Sequence, residues 1–267
     1  MKRGLIAGIL ALLAAAAMAQ SASGATLTGD YRFQGTLTSS GPGPALTPLG
    51  AGVGAFAPDS VMGVTRKVLP ITLHGGLKMA PAGIPSFMTP YSVVMTFRLD
   101  KVTDYNRLID HSNSSEDNGL YVHNGKVDLY VAGPGSQETA TAVIAPGSWA
   151  TVVLLQKVQD IGSAVYLNGA RVVLFSGSFN DTTNSLIFFK DEVGGIDDAS
   201  GAVSCIRTFQ GLLTDEEIAA IGASPTCGGP PDPPPAARKC KKKKKHGHHA
   251  AAAKKHKKKC KKKKRRK

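Results

Sequence analysis

Two short acidic segments carry the side chains best suited to holding a cation. One covers residues 116–118 and the other residues 191–198. Hard cations such as Ca²⁺ prefer several oxygen ligands, usually carboxylates and backbone carbonyls from loops. The second segment therefore predicts a single weak calcium site formed by Asp191 with Asp197 or Asp198. The alternative is that these Asp side chains only cap turns.

A second group of chemically useful side chains is predicted on one face of a β-hairpin. Asn124-Gly125 separates GLYVH from KVDLYV, and Asn-Gly between two such runs is a strong hairpin signal. Because strand side chains alternate between faces, the polar and aromatic residues fall together. The candidate ligand-binding residues are Tyr121, His123, Asp128 and Tyr130. An ordinary solvated face is the alternative interpretation.

No pattern typical of a known catalytic site occurs in the chain. There is no GxSxG nucleophile elbow and no HExxH metal motif. His74, His111 and His123 are isolated from one another in the sequence and are expected to be packed or surface residues. The sequence thus predicts a protein that is not an enzyme and requires no cofactor.

The carboxyl-terminal segment is strongly basic. Residues 228–267 hold 19 of the 33 Lys and Arg residues and one acid, Asp232, whereas residues 20–227 hold 12 basic and 18 acidic residues. A Pro-rich spacer, residues 228–238, is expected to be extended, and residues 239–267 to be disordered. The histidines and cysteines of this tail match no zinc-finger spacing.

Such a dense polycation binds polyanions by counterion release, with steep salt dependence. Lysine instead of arginine, without interleaved aromatics, argues against sequence-specific nucleic-acid binding. The alternative is a tail that only confers solubility. The predicted polyanion-binding residues are Lys241, Lys242, Lys243, Lys244, Lys245, Lys261, Lys262, Lys263, Lys264, Arg265 and Arg266.

The amino terminus predicts export. Residues 1–19 have Lys2 and Arg3 before an apolar run that ends in small residues, which is typical of a cleaved signal peptide. Cleavage is expected after Ala19, with a site near Ala25 as the alternative. The run is too short for a transmembrane span. We expect a secreted protein that is retained at an anionic cell surface through its tail.

Four cysteines fit an exported chain. Cys205 and Cys227 bracket the predicted last strand and helix, and we expect them to form a disulfide. Cys240 and Cys260 lie in the tail, and the sequence leaves open whether they pair with each other, with another chain or not at all.

The remaining patterns predict a sheet protein. A second Asn-Gly, at residues 168–169, should pair Leu167 with Ala170 and Val165 with Val172, placing them and Leu174 on an apolar face. The first hairpin should pair Val122 with Val127 and Leu120 with Leu129. Further strands are expected at residues 31–37, within 68–79, and at 91–99, 106–111, 140–144, 151–155, 186–190 and 202–209.

One helix is predicted near the end of this region. Thr214 and Glu217 have the spacing of a capping box, and Gly222 can end the helix that follows. About a dozen strands and one short helix predict an all-β fold, a two-sheet antiparallel jelly-roll sandwich formed by residues 20–227.

The order of these elements resembles the laminin-G-like, concanavalin-A-like jelly-roll family. The pieces that carry the resemblance are YSVVMTFRL, NGLYVHNGKVDLYV, SWATVVL, VYLNG, LIFFKD and GAVSCIRTFQGLLTDEEIAAI. They cover residues 90–222 well and residues 30–89 less clearly. The resemblance implies a domain that binds glycans or proteins, sometimes through calcium. Some relatives are glycosidases with an ExDxxE strand motif, and the acidic stretch EVGGIDD lacks that spacing.

Together these observations predict a secreted, non-catalytic binding module with a glycan or protein ligand, held at an extracellular polyanion by its tail. The alternatives are a glycoside-acting enzyme of the same fold and an extracellular nucleic-acid-binding protein that uses the tail.

Overall fold

Two antiparallel sheets face each other across one apolar core. The structure is a computed structural model that describes residues 24–232, apart from residues 85, 112–116, 132–134, 142, 159–161, 178, 180–184, 192–194 and 223. The predicted signal peptide and the lysine-rich tail lie outside the described residues. Among the helices of the described part, none is long and apolar enough to cross a membrane.

The described residues form fifteen strands, one short 3₁₀ helix (Pro81–Gly83) and one α-helix. The strands and the α-helix are β1 (Thr26–Tyr31), β2 (Thr47–Leu49), β3 (Ala57–Val61), β4 (Val64–Ile71), β5 (Gly76–Met79), β6 (Tyr91–Leu99), β7 (Tyr105–Asp110), β8 (Gly119–His123), β9 (Lys126–Val131), β10 (Gly135–Glu138), β11 (Trp149–Val158), β12 (Gly162–Leu167), β13 (Ala170–Phe175), β14 (Leu186–Phe188), β15 (Gly201–Gln210) and α1 (Asp215–Gly222).

The sheets have eight and seven strands. The first has the order β13-β12-β11-β6-β15-β4-β3, with β1 also paired to β15, and the second has the order β10-β9-β8-β7-β14-β5-β2. This arrangement confirms the predicted all-β class with two antiparallel sheets and a short helix.

The central strands of the eight-stranded sheet are buried on both faces. On β11, Val152 and Leu154 belong to the core between the sheets, whereas Val153 and Leu155 belong to a second apolar cluster on the outer face. Helix α1 contributes Ile218 to that second cluster. This packing explains why the sequence of β11 is apolar at consecutive positions instead of alternating.

The predicted capping box and disulfide are both present. The Thr214 backbone N–H donates to Glu217 Oε2 (2.8 Å), and the Glu217 N–H donates to Thr214 Oγ1 (3.3 Å). Cys205 and Cys227 are bonded, with their Cα atoms 6.1 Å apart. Because β15 carries Cys205, the bond ties the chain that follows α1 to the middle of the sheet.

The first Asn-Gly hairpin forms as predicted. Val122 pairs with Val127 and Leu120 with Leu129, so both pairs face the core. Asn124 and Gly125 have φ values of 50° and 75°, as a type I′ turn requires. The register therefore places the polar and aromatic residues of β8 and β9 on the outer face of the seven-stranded sheet.

The second Asn-Gly hairpin departs from its predicted register. Leu167 pairs with Ala170, but Val165 pairs with Val173 instead of Val172, because an irregularity lies between Val165 and Tyr166. One extra residue on β13 reverses the faces beyond it. Val173 and Phe175 are consequently buried, and Leu174 is 45% exposed instead of core-facing.

Two predicted strands were misplaced. The strand predicted at residues 31–37 ends at Tyr31, because Phe33 adopts φ 54° and leaves the extended region. The segment at 140–144 contains no described strand: the N–H groups of Val143 and Ile144 both donate to the Gly125 carbonyl. The strand that pairs with β9 on the side away from β8 is β10, which precedes residues 140–144 in the chain.

The compact unit that contains both sheets extends to Asp232. The fully buried side chain of Arg66 pairs with Asp232 at 3.2 Å, and the Thr226 hydroxyl donates to the Gly229 carbonyl (2.7 Å). The first five residues of the predicted Pro-rich spacer are therefore attached to the sandwich.

Candidate functional site

The outer side of β7–β10 carries a group of polar and aromatic side chains. Strand pairing aligns Arg107, Tyr121, Asp128 and Glu138 in one row across the four strands. A second row contains Tyr105, His123 and Lys126. We call this surface the polar face. The opposite side of these strands faces the apolar core. The alternation of polar and apolar side chains along β8 and β9 therefore separates the polar face from the core.

Arg107 is a fully buried cation at the inner end of the first row. Its Nη2 lies 2.5 Å from Asp117 Oδ1 and 2.6 Å from Asp191 Oδ1, and its Nη1 lies 3.4 Å from Asp110 Oδ1. The guanidinium group also lies 4.5 Å from the ring centroid of Tyr121. Arg107 is thus surrounded by the protein's own carboxylates and is not available to an anionic ligand.

The four predicted ligand-binding residues divide into two pairs. Tyr121 and Asp128 are buried, at 1% and 0% exposure. The Tyr121 hydroxyl donates to Asp117 Oδ1, and its burial raises the pKa of Tyr121. His123 and Tyr130 are half-buried and reach the surface. The structure therefore brings all four onto one face, and the role predicted for them stays a prediction.

Tyr105 is an exposed aromatic residue that the sequence analysis missed. It is 37% exposed, and its ring is stacked on the imidazole of His123 with centroids 3.9 Å apart and planes 3° from parallel. Tyr121 meets the same ring edge-on at 5.8 Å. Tyr105 comes two positions before Arg107, so a strand predicted to begin one residue earlier would have included Tyr105 on the same face.

Glu138 is the second missed residue. It lies directly opposite Asp128, contacts His123 Nδ1 through Oε1, and accepts from Lys126 Nζ through Oε2 (3.2 Å). The hydrogen bond with His123 lowers the pKa of Glu138. Desolvation by burial instead raises the pKa of Asp128, and the Ser136 hydroxyl donating to its Oδ1 (2.5 Å) only partly offsets this effect.

The residues predicted to bind calcium lie beside the polar face. The Asp191 carboxylate contacts Arg107, and the backbone carbonyl of Asp197 accepts from the Arg107 N–H (2.8 Å). The buried Asp198 carboxylate accepts the Asp191 N–H (2.7 Å) and is contacted by His74 Nδ1 (2.9 Å) and Lys190 Nζ (3.3 Å). Protein cations thus contact the carboxylates of Asp191 and Asp198, and the calcium site stays a prediction.

The predicted polyanion-binding lysines and arginines of the tail, together with Cys240 and Cys260, lie outside the described residues. Their roles stay predictions as well.

The fold is similar to that of several solved carbohydrate-related and toxin domains. Domain 4 of AbnA, a GH43 extracellular arabinanase from Geobacillus stearothermophilus solved with arabinotriose, is 18% identical, with a TM-score of 0.56 over 75% of this chain and 99% of that domain. A Trypanosoma rangeli sialidase mutant displaying trans-sialidase activity is 13% identical, with a TM-score of 0.53 over 77% of this chain and 34% of that one.

The binding domain of Paraclostridial Mosquitocidal Protein 1 is also similar, at 12% identity and a TM-score of 0.51 over 73% of this chain and 51% of that chain. This chain therefore corresponds to about half of the toxin binding domain. No family model and no curated protein matches the sequence. At these identities the likeness establishes a sandwich fold, in agreement with the predicted jelly roll, and leaves the laminin-G-like assignment a resemblance.

Proposed function

We propose that this chain is an exported, non-catalytic binding module that takes a glycan on its polar face. The observation that carries the proposal is the exposed Tyr105 ring stacked on His123 beside hydrogen-bonding carboxylates. A sugar ring has an apolar face and a rim of hydroxyl groups, so it suits an aromatic surface flanked by a few fixed polar groups. His123, Tyr130 and Glu138 supply such groups at the surface.

The fold neighbours support this proposal as analogies only. One is a domain solved with arabinotriose, and others are parts of a sialidase and a toxin binding domain. A protein ligand on the same face is the alternative occupant.

The test compares Tyr105→Ala with a matched control, Leu174→Ala, which removes an exposed aliphatic side chain from the other sheet. Arabinotriose and a panel of neutral and acidic oligosaccharides are titrated by calorimetry. We expect the wild type and the control to bind at least one oligosaccharide, and Tyr105→Ala to bind it about tenfold more weakly, which corresponds to about 1.4 kcal/mol. Equal binding by Tyr105→Ala, or no binding by any form, would refute the glycan proposal.

We further propose that residues 239–267 hold the protein at an anionic surface. Their charge density favours polyanions through counterion release, which is steeply salt-dependent. Residues 24–267 and residues 24–232, which differ only in the tail, should be compared for binding to envelope fractions at low and high salt. Only the form with the tail should bind, and salt should release it. Equal, salt-resistant binding of both forms would show that the tail does not hold the protein at the surface.

Calcium at Asp191 with Asp197 or Asp198 remains part of the proposal as an aid to ligand binding. Calcium binds carboxylate and carbonyl oxygens, so here it would have to displace the contacts of Arg107 with Asp191 and of Lys190 with Asp198. Calorimetry that detects no heat on adding millimolar Ca²⁺ would remove this site.

One observation favours the catalytic alternative. Asp128 and Glu138 face each other across β9 and β10 with pKa values shifted in opposite directions, as the acid and base of a glycosidase require. Against it, the Asp128 side chain is fully buried, so it has no route to a glycosidic oxygen. If the protein hydrolyses a bound oligosaccharide and Glu138→Gln abolishes that hydrolysis, the conclusion is reversed in favour of an enzyme.

A further inference from the structure

Three potential metal ligands converge on the polar face. A ring nitrogen of His123 and one carboxylate oxygen each from Asp128 and Glu138 all lie within 4.8 Å of one another. The group comes from three adjacent strands: β8 ends at His123, β10 ends at Glu138, and Asp128 lies between them on β9. Sheet hydrogen bonding, rather than a loop, therefore fixes the positions of their backbones.

Asp128 provides an independent reason to expect a cation. Its side chain is fully buried, Ser136 donates to Oδ1, and the Gln137 backbone N–H also favours the charged form. Oδ2 nevertheless has no hydrogen bond of normal geometry among the described residues. A buried carboxylate oxygen without a donor is costly, because it has lost water and gained nothing in exchange. Coordination by a cation would satisfy that oxygen and neutralise the buried charge.

We propose that His123, Asp128 and Glu138 form a binding site for a divalent transition-metal ion of the zinc type. One imidazole nitrogen and two carboxylate oxygens are a donor set that zinc accepts, whereas Ca²⁺ and Mg²⁺ prefer oxygen ligands alone. Two carboxylates balance the charge of the ion. Three protein ligands leave one position of a tetrahedral ion open to water or to an oxygen of another molecule.

The present contacts are compatible with this site. His123 Nδ1 now contacts Glu138 Oε1, and the ion would take the place of the proton between these two atoms. That proton would move to His123 Nε2, so the imidazole would stay neutral with Nδ1 free to bind the ion. Glu138 keeps its Oε2 contact with Lys126 (3.2 Å). The Asn124 amide nitrogen lies 2.9 Å from His123 Nε2, so this amide would have to turn and offer its oxygen to Nε2–H when Nδ1 binds the ion. Ligand atoms of a tetrahedral zinc ion lie about 3.4 Å apart. His123 Nδ1 and Glu138 Oε1 must therefore move apart to admit the ion, whereas the most distant pair of ligand atoms must close by at most about 1.4 Å.

The experiment must separate this site from the tail, which carries four histidines and two cysteines. Full-length protein is labelled with ¹⁵N, and Zn²⁺ is titrated while backbone amides and histidine ring signals are followed by NMR. We expect shifts at residues 121–128 and 135–138 that saturate at one ion per chain, separately from shifts of the tail histidines. Ca²⁺ at millimolar concentration should leave the His123 ring signals and residues 135–138 unchanged.

Asp128→Asn is the test variant, because it keeps the shape of the side chain and removes its charge. His74→Gln is the control, since His74 is an exposed histidine that contacts a different carboxylate, Asp198. We expect Asp128→Asn to lower the affinity of the sandwich signals for Zn²⁺ at least about tenfold and the control to leave it unchanged. His123→Gln provides a second test should Asp128→Asn fold poorly.

A second readout depends on folding. An ion bound only by the folded sandwich raises its thermal midpoint, whereas an ion that binds the native and unfolded chains alike leaves the midpoint unchanged. Zn²⁺ should therefore raise the midpoint of the wild type and not that of Asp128→Asn. Zinc shifts confined to the tail, or an unchanged response in Asp128→Asn, would overturn the proposal.

The metal site and the glycan site can fail separately. Tyr105→Ala removes the stacking surface and none of the three metal ligands, so it should retain zinc binding whether or not an oligosaccharide binds.

Discussion

The Cys205–Cys227 disulfide should supply a large part of the stability of the sandwich. Changing both residues to Ala removes the bond without burying a new polar group. The bond closes a loop with a sequence separation of 22 residues. In the chain-entropy treatment, a loop of that length restricts the unfolded chain by about 11 cal/mol/K, which is about 3 kcal/mol at 25 °C. Domains of this size are commonly stable by only about 5–15 kcal/mol.

Lost packing in the folded state adds to this loss of stability. Both cysteines are fully buried in the apolar cluster beneath α1, so their sulfur atoms also contribute packing. We therefore expect the double variant to lose about 3–5 kcal/mol of unfolding free energy.

Urea unfolding of full-length protein, followed by circular dichroism, measures the effect. The dependence on urea should also become steeper, because the unfolded chain without the cross-link exposes more surface. Reductant is the control: it should destabilise the wild type to the level of the double variant and leave the variant unchanged. A loss below about 1 kcal/mol with an unaltered urea dependence would show that the loop argument does not describe this domain.

Two further predictions concern buried charge. Burial, with a smaller effect of the nearby Arg107 cation, lowers the pKa of His111 from 6.5 to about 3, so between about pH 6 and 4 the unfolded chain takes up a proton that the folded chain does not. Acidification should therefore lower the unfolding free energy by about 1.4 kcal/mol per pH unit through this residue. In urea unfolding over that pH range, His111→Gln should lose stability less steeply than the wild type. Identical pH dependence in the two proteins would show that His111 is not the residue responsible. Arg107→Met removes the buried cation from three carboxylates and should lower the unfolding free energy by about 3–5 kcal/mol in the same urea assay. The control Arg98→Met breaks a part-exposed ion pair and should lower it by at most about 1 kcal/mol. Equal losses would show that the Arg107 cluster contributes no more than a surface pair.

Local signals in the sequence were sufficient for much of the fold. The Asn124-Gly125 register, the burial of β11 on both faces and the capping box of α1 each depend on residues close together in the chain, and each is present. The second hairpin shows the limit. An Asn-Gly turn fixes the pairing only up to the first irregularity, and no residue type in β13 marks the extra residue that turns Leu174 outward.

The candidate site was predictable only in part, because it depends on pairing between distant segments. The pattern of the β8–β9 hairpin put His123 and Asp128 on one face. The positions of Tyr105 and Glu138 depend on how β7 and β10 pair with that hairpin, and GSQE has no alternating pattern that indicates a strand. Nor does the spacing of Arg107 and Asp191 in the sequence predict that they lie 2.6 Å apart.

The ends of the two sheets have a consequence for self-association. An exposed edge strand can pair with a strand of another molecule, and proteins limit this with proline, charge, bulges and short edges. Here β2 and β3 contain Pro48 and Pro58, β10 is four polar or small residues long, and β13 carries the irregular pairing together with Arg171. A neighbouring molecule therefore meets no long, regular apolar edge at these four positions. At these four strands the sandwich therefore has little tendency to grow into intermolecular sheets.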